Sequence, residues 1–352
     1  MQPDPSVRTH LQLAELNQII ANRDSALANE IPIVRVQDKS IWLGNFESAL
    51  IAGQTNILDW THIHFINCEI NTTIMGYDLP FLKLDSTIFD GCDVTLHHNL
   101  SFKDTTLIHC SFQATKVHRI ENCAFIGCNI KSIFEGHFVK CEFKKHHETI
   151  TNIQYYNNLT FDNCEFLNIK FLENSSSQSR AAFIACNGDI SSQNTLPKLW
   201  HFKGGTIKFK DFIDFKGVLI TNCDINGSDF SGSTVYWDFF IYLISGKHSN
   251  ISTKGIIVKG DGIGKTLEKY NFTKVTLEEV TFSHLNLNGF DFSHANLRGC
   301  NFNNVDIYTT VFCFANLTNV SFQDIRRVDL RNFSGTSLIS ATLPERIINF
   351  EA

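Results

Sequence analysis

The chain has 352 residues, 19 % of them charged, a formal net charge of −6 and a sequence pI near 6.1. These totals exclude a strongly basic nucleic-acid-binding protein and do not indicate a strongly acidic one. The beginning, MQPDPSVRTH, lacks the features of a signal peptide, and the longest apolar stretch, at 235–244, has about half the length of a bilayer-spanning helix. We therefore expect a cytoplasmic protein without a transmembrane segment.

The first predicted element is an amphipathic helix over residues 6–28. Its apolar residues Leu13, Leu16, Ile20 and Leu27 recur on one side. We expect this helix to cover the apolar end of the structure that follows it, or to dock on a partner.

From residue 58 onward, short triplets recur in which a small or apolar residue precedes a second apolar residue by two positions. Examples are Thr87-Ile88-Phe89, Cys92-Asp93-Val94, Cys128-Asn129-Ile130, Cys223-Asp224-Ile225 and Ser228-Asp229-Phe230. Both outer residues of a triplet are expected to point inward, because they lie on the same side of an extended chain.

Nine of the eleven cysteines begin such a triplet. They are Cys68, Cys92, Cys110, Cys123, Cys128, Cys141, Cys164, Cys223 and Cys300. A free cysteine at an inward position behaves as a small buried hydrophobe, so we predict no metal site and no catalytic thiol among these nine. Cys186 and Cys313 depart from the pattern, and their role stays open.

Three stretches interrupt the triplets, at 144–158, 173–200 and 236–266. Loops on a regular scaffold often carry function, although tolerance of length variation is an alternative. The third stretch contains an apolar run, which we predict to contact a partner protein. The predicted contact residues are Trp237, Phe239, Phe240, Tyr242 and Leu243.

A large apolar residue recurs at every fifth position over 267–322. The positions are Leu267, Phe272, Leu277, Phe282, Leu287, Phe292, Leu297, Phe302, Ile307, Phe312, Leu317 and Phe322. Neither a helix nor a flat strand would bury this pattern on one side, because steps of five advance by about 140° on a helix and alternate faces on a strand. A chain that turns a corner every five residues buries each of them, and four sides close a coil of twenty.

Residues twenty apart are then expected to stack, and they match in type. Phe272, Phe292 and Phe312 form one column, and Phe282, Phe302 and Phe322 form another. Polar residues just before the centres, such as Asn296 and Asn316, are expected to hydrogen-bond the backbone of the nearby turn.

At Ala295-Asn296-Leu297 and Ala315-Asn316-Leu317 the sequence resembles the pentapeptide-repeat family, whose pattern is A-(D/N)-L-x-x. The resemblance implies an all-β fold, a right-handed quadrilateral β-helix. We expect this β-helix over 58–343 with the loop insertions given above, preceded by an N-terminal α-helical cap or docking segment over 1–57. Residues 344–352 are expected to form a C-terminal tail.

For function, the resemblance implies a protein-binding scaffold, a DNA mimic that protects gyrase, or a platform attached to an enzyme, for which this chain is too short. Mimicry needs rows of carboxylates, but residues 267–322 have only five acidic against three basic side chains. These are Glu268, Glu278, Glu279, Asp291 and Asp306 against Lys269, Lys274 and Arg298. The scaffold is therefore favoured, and gyrase binding is the alternative.

The expected protein is not an enzyme, and it has no catalytic residue, metal or cofactor, because no nucleophile, base and oxyanion donor occur in a recognisable arrangement. Its partner is expected to be a protein of unknown identity, without direct nucleic-acid binding. The family and a composition rich in Asn, Ile, Phe and Lys indicate a bacterial protein. A homodimer, and delivery into a host cell as an effector by a specialised secretion system, stay open.

Overall fold

Strand pairs in this protein are parallel and join one coil to the next, as a β-solenoid requires. The structure is a computed structural model, in which the chain divides into unit 1, residues 1–207 with 217–224, and unit 2, residues 208–216 with 225–352. It describes residues 8–28, 34–46, 50, 58–72, 82–147, 151–172, 180–192, 199–210, 215, 218–221, 223–245, 251–260, 270–325 and 328–343.

The described elements have the following bounds in chain order. They are β1 Thr9–His10, α1 Leu13–Ala28, β2 Val34–Gln37, β3 Lys39–Trp42, a 3-10 turn Leu43–Phe46, β4 Ile63–Ile66, β5 Glu69–Asn71, β6 Ile88–Asp90, β7 Asp93–Lys103, β8 Thr106–Ile108, β9 Ser111–Glu121, β10 Ala124–Ile126, β11 Asn129–Val139, β12 Glu142–Lys144, β13 Asn152–Asp162, β14 Glu165–Phe171, β15 Arg180–Ile184, β16 Asn187–Ser192, β17 Leu199–Lys203, β18 Thr206–Lys210, β19 Val218–Thr221, β20 Thr234–Tyr236, α2 Trp237–Ile244, β21 Ile257–Lys259, β22 Thr281–Ser283, β23 Asn301–Asn303, β24 Ser321–Gln323 and a 3-10 turn Leu330–Phe333.

In unit 1, each coil contributes a strand to two parallel ladders. One ladder contains the even-numbered strands from β2 to β16, and the other contains the odd-numbered strands from β1 to β19. Four odd-numbered strands, β7, β9, β11 and β13, are 11 residues long, and register shifts occur within β7 and β11. These coils are therefore parallel and stacked, but they are not built from strict steps of five.

Aromatic columns fill unit 1. Phe125, Phe143 and Phe166 stack in order, with ring centroids 5.0 and 5.2 Å apart. Each ring is fully buried and packs edge to face on rings from another side of the coil. This geometry stabilises aromatic pairs by more than the burial of their surface alone.

The predicted N-terminal helix is confirmed as α1, although it begins at Leu13 because Thr9 and His10 pair as a strand with β3. Leu16 and Ile20 are buried as expected. The prediction for Leu27 is wrong, since its side chain is half exposed. The 3.6-residue period instead turns Ala26 to the buried side at this end of the helix.

Arg23 anchors α1 to the coils of unit 1. Its buried guanidinium donates to the backbone oxygen of Asp59 at 2.6 Å, to the Asp59 carboxylate at 2.9 Å and to the Asp24 carboxylate at 2.6 Å. Burial opposes the charge of Asp59. However, hydrogen bonds from Thr61 and the charges of Arg23 and Lys83 outweigh burial and hold the pKa of Asp59 below its ordinary value of 3.8.

We expect Arg23→Ala to lower the free energy of unfolding of unit 1 by about 3 kcal/mol at neutral pH, because it removes the closer of the two cations beside a partly buried carboxylate and leaves only Lys83 at 3.7 Å. Since the pKa of Asp59 is depressed in the folded state, this contribution is present above pH 3.8 and is lost as the pH falls through the folded value. Urea unfolding at neutral and strongly acidic pH checks this, and an Arg23→Ala penalty that does not shrink in acid would contradict it. The control is Arg119→Ala, which breaks an exposed pair with Glu121 and should cause no measurable change.

In unit 2, the coils between Phe272 and Phe322 have the twenty-residue length that the sequence predicts, whereas the two preceding coils are longer, with Thr234 paired to Ile257 and Ile257 paired to Thr281. Phe282, Phe302 and Phe322 are register partners in β22, β23 and β24, with successive ring centroids 5.1 Å apart. Phe292 stacks on Phe272 at 4.6 Å and on Phe312 at 5.5 Å. Every predicted centre from Phe272 to Phe322 is buried, while Leu267 lies outside the described residues.

The polar residue before the centre does what the sequence predicts at Asn296 and Asn316, whereas Oδ1 of Asn301 is buried without a hydrogen-bond partner. Asn296 accepts a hydrogen bond from the backbone N–H of Arg298 at 3.4 Å, and Asn316 accepts one from Thr318 at 3.1 Å. The Nδ2 group of Asn316 also donates to Oδ1 of Asn296 at 3.0 Å, so neighbouring coils are joined by an amide ladder. The all-β parallel β-helix with an N-terminal helix is confirmed, while the predicted tail, 344–352, lies outside the described residues.

Candidate functional site

Helix α2 is the feature of unit 2 that the repeat does not require. It begins directly after β20, with Tyr236 as an extended N-cap residue and Asp238 in the first turn, where a negative charge complements the helix dipole. It ends at Ser245, whose hydroxyl donates to the carbonyl oxygen of Tyr242 at 2.8 Å. The hydroxyl of Tyr270 donates to the carbonyl oxygen of Ile244 at 3.0 Å and fixes the last turn.

Three of the five predicted contact residues form the buried side of α2. Trp237, Phe240 and Leu243 are each at most 4 % exposed. The ring of Trp237 packs edge to face on Phe290 at 5.3 Å, and Phe240 packs on Phe282 at 5.7 Å. These three side chains hold the helix on the coils of unit 2, so a partner could not contact them while the helix is docked.

The other two predicted residues, Phe239 and Tyr242, lie on the adjacent face of α2 and are partly exposed, although Phe239 also packs edge to face on the buried ring of Phe230 at 5.8 Å. Their rings stack on each other with centroids 6.1 Å apart, and Phe239 also stacks on Phe215 at 5.1 Å. The prefolded stack is a surface that another protein could contact at low entropic cost. We call Phe239 and Tyr242 the outer aromatic pair.

The sequence alone did not separate these two groups, although the signal was present. Trp237, Phe240 and Leu243 are spaced by three, which places them on one helical face, whereas Phe239 and Tyr242 fall on the next face. An apolar run of this length can form either a strand or a helix, so the spacing could not be interpreted before the helix was known.

The cysteines form buried columns in unit 1. The thiol of Cys110 donates to the carbonyl oxygen of Phe89 at 3.3 Å, and the thiol of Cys128 donates to that of Leu107 at 3.2 Å. Burial raises the pKa of Cys110 well above its ordinary value. All nine cysteines predicted to point inward are buried, and Cys313, which departs from the pattern, is partly exposed.

The expectation that Cys186 departs from the pattern is wrong. Cys186 is buried, and its thiol donates to the carbonyl oxygen of Phe161 at 3.4 Å, as Cys164 donates to Phe138 one coil earlier. The sequence concealed this position because its triplet ends in Gly188. A Cβ at Gly188 would lie 1.8 Å from the carbonyl oxygen of Phe166, so no apolar centre fits there.

We expect iodoacetamide at neutral pH to modify one thiol per folded chain, Cys313, and all eleven after unfolding. The other ten thiols are buried and hydrogen-bonded or desolvated, and burial raises the pKa of Cys223 to about 11 and that of Cys300 to about 12. Intact-mass spectrometry counts the adducts, with Cys313→Ser as the control that should give none. Modification of Cys186 in the folded chain would contradict the assignment.

The described residues contain no group of three or more His, Cys, Asp or Glu side chains arranged to hold a metal ion. Within the same ranges, neither α-helix is long and apolar enough to span a bilayer.

Residues 276–312 match the family model described as pentapeptide repeats, with eight copies. The match lies within the twenty-residue coils of unit 2, where the five-residue steps are regular. Residues 276–312 therefore consist of pentapeptide repeats, as the sequence predicted. No curated protein matches it.

Three solved structures are similar to the chain. Full-length QnrB1, a plasmid-mediated fluoroquinolone resistance protein, is 17 % identical with a TM-score of 0.20, over 68 % of this chain and 94 % of that one. Trypsin-treated QnrB1 is 13 % identical with a TM-score of 0.14, over 69 % and 86 %. HetL, a pentapeptide repeat protein involved in heterocyst differentiation regulation from the cyanobacterium Nostoc sp. strain PCC 7120, is 10 % identical with a TM-score of 0.17, over 85 % and 94 %. At these values the similarity carries no argument about function.

Proposed function

We propose that the protein is a non-enzymatic scaffold that binds another protein through the outer aromatic pair on α2. The observation that carries this proposal is a helix between β20 and β21 whose inner side chains anchor it to the coils while Phe239 and Tyr242 stay partly exposed. Aromatic side chains are enriched at protein interfaces, where they supply large contact areas from few rotatable bonds.

DNA mimicry with gyrase as the target is the alternative, and the register of unit 2 gives it little support. Asp291 pairs with Val311 in the next coil, and Asn286 pairs with Asp306. In a third column, Thr276 pairs with Asn296 and Asn296 pairs with Asn316, so this column has no carboxylate. Carboxylates are thus interrupted by neutral residues in these described columns, whereas a duplex mimic needs closely spaced negative charge.

We also infer a bacterial protein that acts in the cytoplasm, without direct nucleic-acid binding. The pentapeptide repeats and the residue composition support this inference. Delivery into a host cell as an effector is a finer hypothesis that the following experiment also addresses, and self-association as a homodimer is a further hypothesis.

The test compares affinity captures by three versions of the whole chain from bacterial and eukaryotic lysates, with gyrase probed in the bacterial one. Phe239→Ala with Tyr242→Ala removes the outer aromatic pair, and Phe314→Ala removes a ring that is 60 % exposed elsewhere in unit 2. A protein captured by wild type and Phe314→Ala but lost with the double variant would support the proposal, and the lysate that supplies it would distinguish a bacterial from a host partner. Gyrase captured equally by all three would support mimicry instead.

A further inference from the structure

The segment that follows β12 in unit 1 folds back onto the turn after β8. The ring of His109, in that turn, packs edge to face on the ring of His146, with centroids 4.3 Å apart and planes at 79°. His147 packs on His146 with the same centroid separation and angle. Three imidazole rings are therefore in contact in a row.

The stacking of corners explains why His146 can reach a turn from an earlier coil. The N–H of His109 donates to the carbonyl oxygen of Ile126 at 2.9 Å, and that of Gly127 donates to Lys144 at 2.8 Å, so Gly127 occupies the corner between them. Gly127 has a φ of 61°, which suits glycine, and it places no side chain between the rings.

Protonation of His146, the middle ring of the row, is disfavoured. Nδ1 of His146 is buried and has no hydrogen-bond partner. Loss of hydration lowers the pKa of His146, the charges of His109 and His147 lower it further, and Asp90 partly opposes them.

Other charges near the cluster do not reverse this balance. Lys144 forms an ion pair with Glu142, and Lys145 is exposed and positive. Asp90 also faces His64, whose pKa is lowered chiefly by burial, so this carboxylate is shared between two imidazoles. Glu148 follows in the sequence and lies outside the described residues.

We propose that residues 145–147 form a pH-responsive latch, held on unit 1 by the packing of neutral His146 between the rings of His109 and His147 and released when His146 gains a proton. The docked segment binds fewer protons than the released one, because ring contact and loss of hydration disfavour the charged form of His146. Its docking is therefore complete above the ordinary histidine value of about 6.5 and weakens as the pH falls below it. This regulation is separate from the proposed contact on α2 and adds an acid-dependent change to the surface of unit 1.

Limited digestion of the whole chain with trypsin tests the latch, because the bonds after Lys144 and Lys145 lie within it. The cleavage rate is divided by that of a synthetic peptide spanning 140–152 at the same pH, which removes the pH dependence of trypsin. We expect this ratio to rise severalfold between pH 7.5 and pH 5.5, since cleavage of folded protein follows local opening. A ratio that does not change with pH would overturn the proposal.

The double variant His109→Phe with His146→Phe keeps two packed rings but cannot gain protons at them, and its ratio should stay constant with pH. The matched control is His294→Phe, which removes an imidazole stacked on Phe314 in unit 2 and should preserve the rise. A rise that survives in the double variant would overturn the latch. If that variant fails to fold, NMR titration of wild-type His146 decides, with a midpoint below 6.5 supporting the latch and one at or above 6.5 rejecting it.

Discussion

Replacing Phe302 by aspartate should unfold the coils of unit 2. The ring of Phe302 is fully buried between Phe282 and Phe322, with centroids 5.1 Å away on either side, and it packs edge to face on Phe312 at 5.7 Å. The variant loses the burial of a phenyl ring and places an unpaired carboxylate among aromatic side chains. We expect a loss of more than about 4 kcal/mol in the free energy of unfolding.

Circular dichroism and thermal unfolding measure this loss, with a weaker β signal expected at room temperature. The control is Phe314→Asp, because Phe314 is exposed and has a φ of 58°, a conformation that aspartate adopts more readily than phenylalanine. We expect the control to change stability by less than about 0.5 kcal/mol. A native spectrum and melting point for Phe302→Asp would be incompatible with the stacked column.

Gly205→Ala should be damaging out of proportion to the size of the added methyl group. A Cβ on Gly205 would lie 2.0 Å from the carbonyl oxygen of Cys186 in the preceding coil. The carbonyl groups of both residues accept backbone hydrogen bonds, so neither can move away easily. The coils must separate locally to admit one methyl group. We expect a loss of more than about 4 kcal/mol in the stability of unit 1, measured by urea unfolding.

Gly204 provides a matched control one residue away. Its φ of 68° is close to the 73° of Gly205, but a Cβ there would find no atom closer than 3.9 Å. Gly204→Ala should therefore lower the free energy of unfolding only by the cost of an alanine in the left-handed conformation, about 1–2 kcal/mol. Equal losses for the two variants would mean that φ, rather than the close approach of neighbouring coils, requires glycine at this corner.

The sequence predicted the coils of unit 2 over 272–322 in detail because one physical requirement repeats there without interruption. A corner at every fifth residue needs an apolar centre, and every centre from Phe272 to Phe322 is buried. In unit 1 the same prediction was coarser. Strands such as β9 and β11 are 11 residues long, so the chain there does not turn a corner at every fifth residue.

Contacts between residues far apart in the sequence were not predictable in the same way. The pairing of Arg23 with Asp59 depends on how α1 docks, and the contact of His109 with His146 depends on a bare corner at Gly127. For α2, the apolar run was recognised, but its division into an anchoring and an outer side required knowledge of the helix.

Photo-crosslinking tests the proposed interface on α2 most directly. A benzophenone amino acid replaces Tyr242 in the outer aromatic pair or, in a second version, the exposed Phe314 of the same unit. Our account predicts that the probe at 242 crosslinks a specific protein in cells and that the probe at 314 does not. The same crosslinked proteins at both positions, or none at 242, would contradict the assignment of α2 as the partner-binding surface.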